Sequence, residues 1–286
     1  MNKSKIKRVT EKYFSPFFLD LIITSIFYFK YLLFTNKKIL QNNKKLKGVG
    51  SNKRAFLLAT GPSIKHQNLK LLAGEDCFSV SNFFLHDDIT IINPKIHFFA
   101  PYHEPLILEN YVNWLKQADT TLPKDTKICL GHTTKEIVDK YSLFSDREVF
   151  YIYLTKVKPN KLFSIDLTGP IMGPQTGPLM IVPVLLYMGY KEICLVGCDH
   201  TVLRDYKKTI NNFYNKEKDI RSNATDENSW EDIITSHKGS VNIFLQYQMY
   251  KKIANKKNII IFNLSNDTWL DMFPVVDFDN FLKKNH

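Results

Sequence analysis

The chain has 286 residues, 44% of them hydrophobic, enough for one large domain with a full core. Its formal charge is +11, but Met1 to Arg54 holds 13 Lys/Arg against only Glu11 and Asp20, leaving 26 residues of each sign in the rest. A balanced main body excludes a domain-wide nucleic-acid surface, and a basic head beside an apolar run points to anionic lipid.

Residues 13–34 are dense in Phe, Leu, Ile and Tyr and predict a helix, tolerating Pro16 near its start. Asp20 and Lys30 interrupt the run and lysines flank both ends, so an amphipathic helix in the membrane interface fits better than a span. A helix packed on the protein's own core is the bland alternative. Residues 1–47 are thus expected at an anionic membrane surface, on the cytoplasmic face of the inner membrane. Residues 35–53, rich in Asn and Lys and ending in Gly48, Gly50 and Ser51, read as a linker, so that 54–286 forms the domain.

Short apolar runs bounded by turn residues predict strands at Arg54–Ala59, Cys77–Ser81, Lys95–Ala100, Lys127–Leu130, Val149–Tyr153, Glu192–Gly197 and Asn258–Asn263. Helices are predicted at 64–72, 107–117, 177–188 (kinked by Pro183) and 241–254. This alternation predicts an α/β domain with a mostly parallel sheet and flanking helices. Residues 199–236 form a long polar insertion with spaced aromatics directly after a core strand, where such sheets bind ligands; 200–236 reads as a lid. Cys77, Cys129, Cys194 and Cys198 read as reduced, buried thiols, and no metal site is expected.

Five segments carry candidate chemistry. In Thr60-Gly61-Pro62-Ser63 the glycine permits close approach and the following N–H groups can hold phosphate, although strand–Gly–Pro junctions also arise for structural reasons. Asn82 ends the second strand, as base or ribose partner or as simple terminator. Thr176-Gly177 opens a long apolar helix, with Thr176 either as N-cap or facing a donor anion. Gly197, Asp199 and His200 stand just past a central strand. His237 precedes the helix predicted at 241–254 and suits a general base; His97, His103 and Glu104 are further candidates.

Together these segments resemble the bacterial sialyltransferases of glycosyltransferase family 42. The family's strand into G-N-G-P-S is matched by A-T-G-P-S at Ala59 to Ser63, and its Asn after the second strand by Asn82. Its S-G-V-Y-M is matched by T-G-P-L-M at Thr176 to Met180, and A-L-G-Y-K-E-I-Y-L-S-G-I-D by Y-M-G-Y-K-E-I-C-L-V-G-C-D at Tyr187 to Asp199. The order holds from residue 54 to about 265. The resemblance implies a Rossmann-like fold with a lid and a metal-independent transfer of a nonulosonic acid from a CMP-activated donor. The acceptor would be a cell-surface glycan such as lipooligosaccharide, O-antigen or capsule, with no cofactor beyond the donor. It implies His237 as catalytic base and Tyr206 or Tyr214 as the phenol at the leaving phosphate. Two departures stand out: Thr60 replaces the family's Asn, and the tyrosine that closely follows G-I-D is missing around His200-Thr201. The family's membrane attachment is usually C-terminal, whereas the anchor would be N-terminal in this chain. Two other readings stay open: an Mg²⁺-dependent phosphotransferase using Asp199, Asp205 and Glu104, and a non-catalytic partner of a glycan-assembly complex. Oligomers are compatible with all three.

Overall fold

The computed structural model describes residues 16–155, 165–206, 212–221 and 232–283. Eight strands form one sheet: β1 (Arg54–Leu58), β2 (Cys77–Val80), β3 (Ile96–Phe99), β4 (Lys127–Gly131), β5 (Val149–Thr155), β6 (Pro170–Met172), β7 (Glu192–Val196) and β8 (Ile260–Asn263). Their order is β6-β5-β4-β3-β2-β1-β7-β8, and every pairing is parallel. The helices are α1 (Pro16–Leu33), α2 (Lys38–Gln41), α3 (Ile89–Ile92), α4 (Leu108–Thr121), α5 (Lys135–Lys140), α6 (Pro178–Met188), α7 (Ile233–Lys256) and α8 (Phe278–Lys283).

Parallel strands covered on both faces need apolar residues at every position rather than at alternate ones. In β1, Ala55 and Leu57 enter one core with α6 and α7, while Phe56 and Leu58 enter the other with α4 and α8. In β7, Ile193 and Leu195 divide from Cys194 and Val196 in the same way. Helix α6 is apolar all round because all eleven of its residues are buried, Pro183 included. Each large aliphatic side chain buried there contributes about 1.5–3 kcal/mol. All four cysteines are free and buried, and burial pushes each thiol up, so they are inert packing groups.

Three expectations need correction. The stretch read as a linker is packed into the domain: Leu40, Asn43 and Leu46 are buried, and Asn43 Nδ2 donates to the carbonyls of Tyr151 (2.8 Å) and Leu167 (2.7 Å). The helix expected over 64–72 is two short 3-10 turns, Pro62–His66 and Leu69–Leu72. The last long helix starts at Ile233, eight residues before the expected 241, because Asp232 caps it by accepting from the N–H groups of Ile234 (2.9 Å) and Thr235 (3.1 Å). His237 therefore lies inside this helix, not ahead of it. Of the insertion, 207–211 and 222–231 lie outside the described residues.

Candidate active site

The chain reverses direction across the sheet between β1 and β7, and a parallel α/β sheet opens its crevice at such a point, beyond the strands' carboxyl ends. The loops after β1 and β7 are the Gly61-Pro62-Ser63 turn and Gly197-Cys198-Asp199-His200. They are bound directly to each other. Gly61 N–H donates to Gly197 O (3.0 Å), and the Asp199 carboxylate accepts from Ser63 N–H (2.9 Å) and Ser63 Oγ (2.5 Å). Burial raises the Asp199 carboxyl above its ordinary range, and the two Ser63 donors work against that rise. A Cβ on Gly61 would lie 2.5 Å from both Asp199 Oδ2 and Gly197 O. The close approach that requires this glycine is thus to the neighbouring loop. Gly197 itself has φ of 69° and leaves no room for a Cβ, which would meet Ile64 at 2.5 Å.

Asp199 and Ser63 therefore build the turn rather than offering free groups to a ligand. His200 is likewise engaged: its Nε2 pairs with the buried Tyr247 hydroxyl (2.9 Å), and burial lowers its pKa to about 4, so the ring is neutral at pH 7. Ser81 and His200 hold left-handed backbone, with φ of 60° and 52°, at the carboxyl ends of β2 and β7. Non-glycine residues in that region cluster at functional sites.

On the β2 side, Asn82 is fully buried and accepts a hydrogen bond from Trp114 Nε1 of α4. Among the described residues its Nδ2 has no partner in hydrogen-bonding geometry, yet Asn82 lies close enough to Asp219 and Tyr214 to favour the ionised form of each in small part. These two residues belong to the insertion, whose segment 212–221 runs back across the crevice. Phe213 N–H donates to Thr60 O (3.3 Å), and its ring packs on Phe83 and His86. Arg221 lies over the Trp114 ring at 4.3 Å and grips Asp219 through two side-chain bonds of 2.9 and 2.7 Å. Burial works against the Asp219 carboxylate, but Arg221 outweighs it and holds the carboxyl below its ordinary range. Burial and the Asp219 charge raise the Tyr214 phenol, so it is a neutral donor at pH 7; its oxygen accepts from Asn212 Nδ2 (2.9 Å). A cavity of about 290 Å³ lies between the 3-10 turn and this segment, with Lys65, His86, Tyr214 and Lys218 in its wall.

On the other side of the switch point stands His237, exposed in the second turn of α7. Its Nδ1 lies 2.8 Å from Ile233 O. A carbonyl only accepts, so Nδ1 is the donor in this contact and Nε2 is the ring nitrogen turned away from it. The Tyr206 ring meets it edge-on, with centroids 6.2 Å apart. An open cavity of about 460 Å³ adjoins His237, Lys238, Val241 and Asn242. Thr176 and Gly177 stand at the start of α6; Gly177 rather than Thr176 is the N-cap, no side chain caps it, and a Cβ on Gly177 would lie 3.2 Å from the Val80 side chain of β2.

Sequence reasoning thus named residues from both sides of the crevice but missed Trp114, Asp219 and Arg221. The signal available was the close pair Asp219 and Arg221, at the end of the charged run Lys216 to Arg221 inside a polar insertion. The other candidates stay apart. His97 is fully buried, with Nε2 2.9 Å from Ser81 O and Nδ1 2.7 Å from Ser79 Oγ; burial lowers its pKa to about 3, and it is a structural group. His103 is exposed, against its neighbour's carbonyl. Asp199, Asp205 and Glu104 do not gather: Asp205 pairs with Arg204 (2.9 Å), and no cluster of three or more metal-ligating side chains forms among the described residues.

No family model matches the chain, and no curated protein matches it. Solved structures with a similar chain course include those of the sialyltransferase CstII. One, from Campylobacter jejuni in complex with the substrate analogue CMP-3FNeuAc, is 12% identical, with 78% of this chain and 85% of that one covered and a TM-score of 0.42. A second, in complex with a trisaccharide acceptor and CMP, is 16% identical with 78% and 86% covered and a TM-score of 0.43. A variant in complex with CMP is also 16% identical with the same coverage and a TM-score of 0.45.

Proposed function

We propose that the chain is a glycosyltransferase that moves a nonulosonic acid from a CMP-activated donor to a cell-surface glycan, without a metal ion. The observation that carries this reading is the convergence of the motif segments. Thr60 to Ser63, Asn82, Thr176-Gly177, Gly197 to His200 and His237 are scattered through the sequence, yet all stand at the carboxyl edge of one parallel sheet, around one switch point. The motif order described above supports the sialyltransferase-like chemistry.

In this reading the nucleotide lies along Thr60, Gly61 and Asn82. The bond from sugar carbon to phosphate oxygen breaks, and its electron pair leaves on the phosphate of CMP. The neutral Tyr214 phenol and the Arg221 guanidinium stabilise that charge, which is the work a metal ion would otherwise do. The acceptor oxygen bonds to the sugar carbon and gives its proton to His237 Nε2. Tyr206 orients the imidazole. Asp199 is a positioning residue that holds the Gly61–Ser63 turn, and His200 stays neutral against Tyr247.

The test is a thermal-shift screen of the full chain against CMP, UDP, GDP and ATP, with and without Mg²⁺. A ligand present at one hundred times its Kd stabilises by about 2.7 kcal/mol. Stabilisation by CMP in EDTA is the expected result. Stabilisation only by the other nucleotides with Mg²⁺ would overturn the CMP reading.

A further inference from the structure

Helix α1 meets the domain at the same edge as the crevice. Phe27, Tyr31 and Phe34 are half-buried at helical spacing. Tyr31 and Phe34 pack edge-on against Tyr153 of β5, each with centroids 5.1 Å apart, and Phe34 also meets His132, just past β4, at 5.4 Å. Tyr31 OH donates to Thr168 O (3.3 Å). The ring contacts stand toward the carboxyl ends of β4 and β5, two and three strand steps or roughly 10–15 Å from β2 and Asn82.

The opposite face of α1 is apolar and faces outward. Ile22, Ile26, Phe29 and Leu33 recur at helical spacing and are 44%, 49%, 60% and 63% exposed. No described helix is long and apolar enough to cross a membrane. The charge excess of the chain lies in the same segment, with 13 Lys/Arg against two acids up to Arg54. An exposed apolar stripe combined with a local cationic excess fits the headgroup layer of an anionic bilayer.

We propose that α1 lies in the surface of an anionic bilayer and turns the carboxyl edge of the sheet toward it, so that the crevice opens onto the membrane and receives acceptors held there. The role of the acceptor rests on the transferase reading above; the orientation does not.

All native thiols are buried, so an introduced surface cysteine takes a fluorophore selectively. In the full chain, His103→Cys labels the carboxyl edge and Asp125→Cys, exposed just before β4, labels the amino edge. Each is mixed with phosphatidylglycerol/phosphatidylethanolamine vesicles that carry a nitroxide lipid. The expected result is binding with stronger quenching at position 103 than at 125, and binding weakened roughly tenfold or more by Phe29→Glu with Leu33→Glu, which lie on the exposed face. Absence of vesicle binding, equal or stronger quenching at position 125, or unchanged binding by the double variant would overturn the proposal. Because the measurement uses no sugar nucleotide, its failure is separate from failure of the transferase reading.

Discussion

The Asp199 carboxylate takes both polar hydrogens of Ser63, the hydroxyl at 2.5 Å and the backbone N–H at 2.9 Å, and so ties the loop after β7 to the loop after β1. A buried carboxylate is stable there only because both oxygens are used. Ser63→Ala removes one charge-assisted bond and should cost about 1.5–3 kcal/mol. Asp199→Ala leaves the Ser63 donors unpaired and should cost at least as much. Urea unfolding of the two variants measures both; a neutral Asp199→Ala would show that the tie is idle.

Gly61→Ala should destabilise by about 1–3 kcal/mol, because a methyl group there meets the Gly197 carbonyl at 2.5 Å, and that backbone is itself fixed by the pairing of β1 with β7. The check is the same unfolding curve. A variant as stable as the parent would mean that the two loops separate freely.

Two buried histidines set an acid limit. The pKa of His200 is lowered to about 4 and that of His97 to about 3, from an unfolded value of 6.5. The unfolded chain binds these protons first, so stability is full above pH 6.5 and falls as the pH drops toward the folded values. Each group removes about 1.4 kcal/mol per pH unit within that window. Plots of unfolding free energy from pH 7 to 4 should lose one proton's worth of slope in His200→Gln. An unchanged slope would place His200 in solvent.

His237 is exposed, and its Nδ1 donates to the Ile233 carbonyl. His237→Ala should leave the melting temperature unchanged and CMP affinity intact while lowering turnover by about 10²–10⁴-fold. Near-normal turnover would end its assignment as the base. Arg221→Gln should behave oppositely, weakening nucleotide affinity roughly tenfold or more through loss of one cation at the phosphate. Equal affinity would show that Arg221 only holds Asp219.

Most of the architecture was legible because a doubly covered parallel strand announces itself as an unbroken apolar run, as in Ala55 to Leu58 or Ile193 to Val196. β6 was not, since Pro170-Ile171-Met172 is too short to stand out. The docked segment before β1 was hidden because Asn43 looks like a loop residue until its two carbonyl partners, more than a hundred positions away, are in place. The start of α7 was masked by Gly239, which reads as a break although the Asp232 cap carries the helix through it. In the site, Gly197 carries a local signature of its left-handed conformation, φ of 69°. Arg221 on Trp114 does not, because its meaning arises only when the insertion folds back across β2.

The most direct measurement is a calorimetric titration of CMP into the full chain in EDTA, beside the same titration into Asn82→Ala. Saturable binding to the parent, weakened at least about tenfold in the variant by loss of the buried amide, is the predicted result. Absence of CMP binding without metal, or equal affinity in the two proteins, would contradict a metal-independent CMP-sugar site at the β1–β7 crevice.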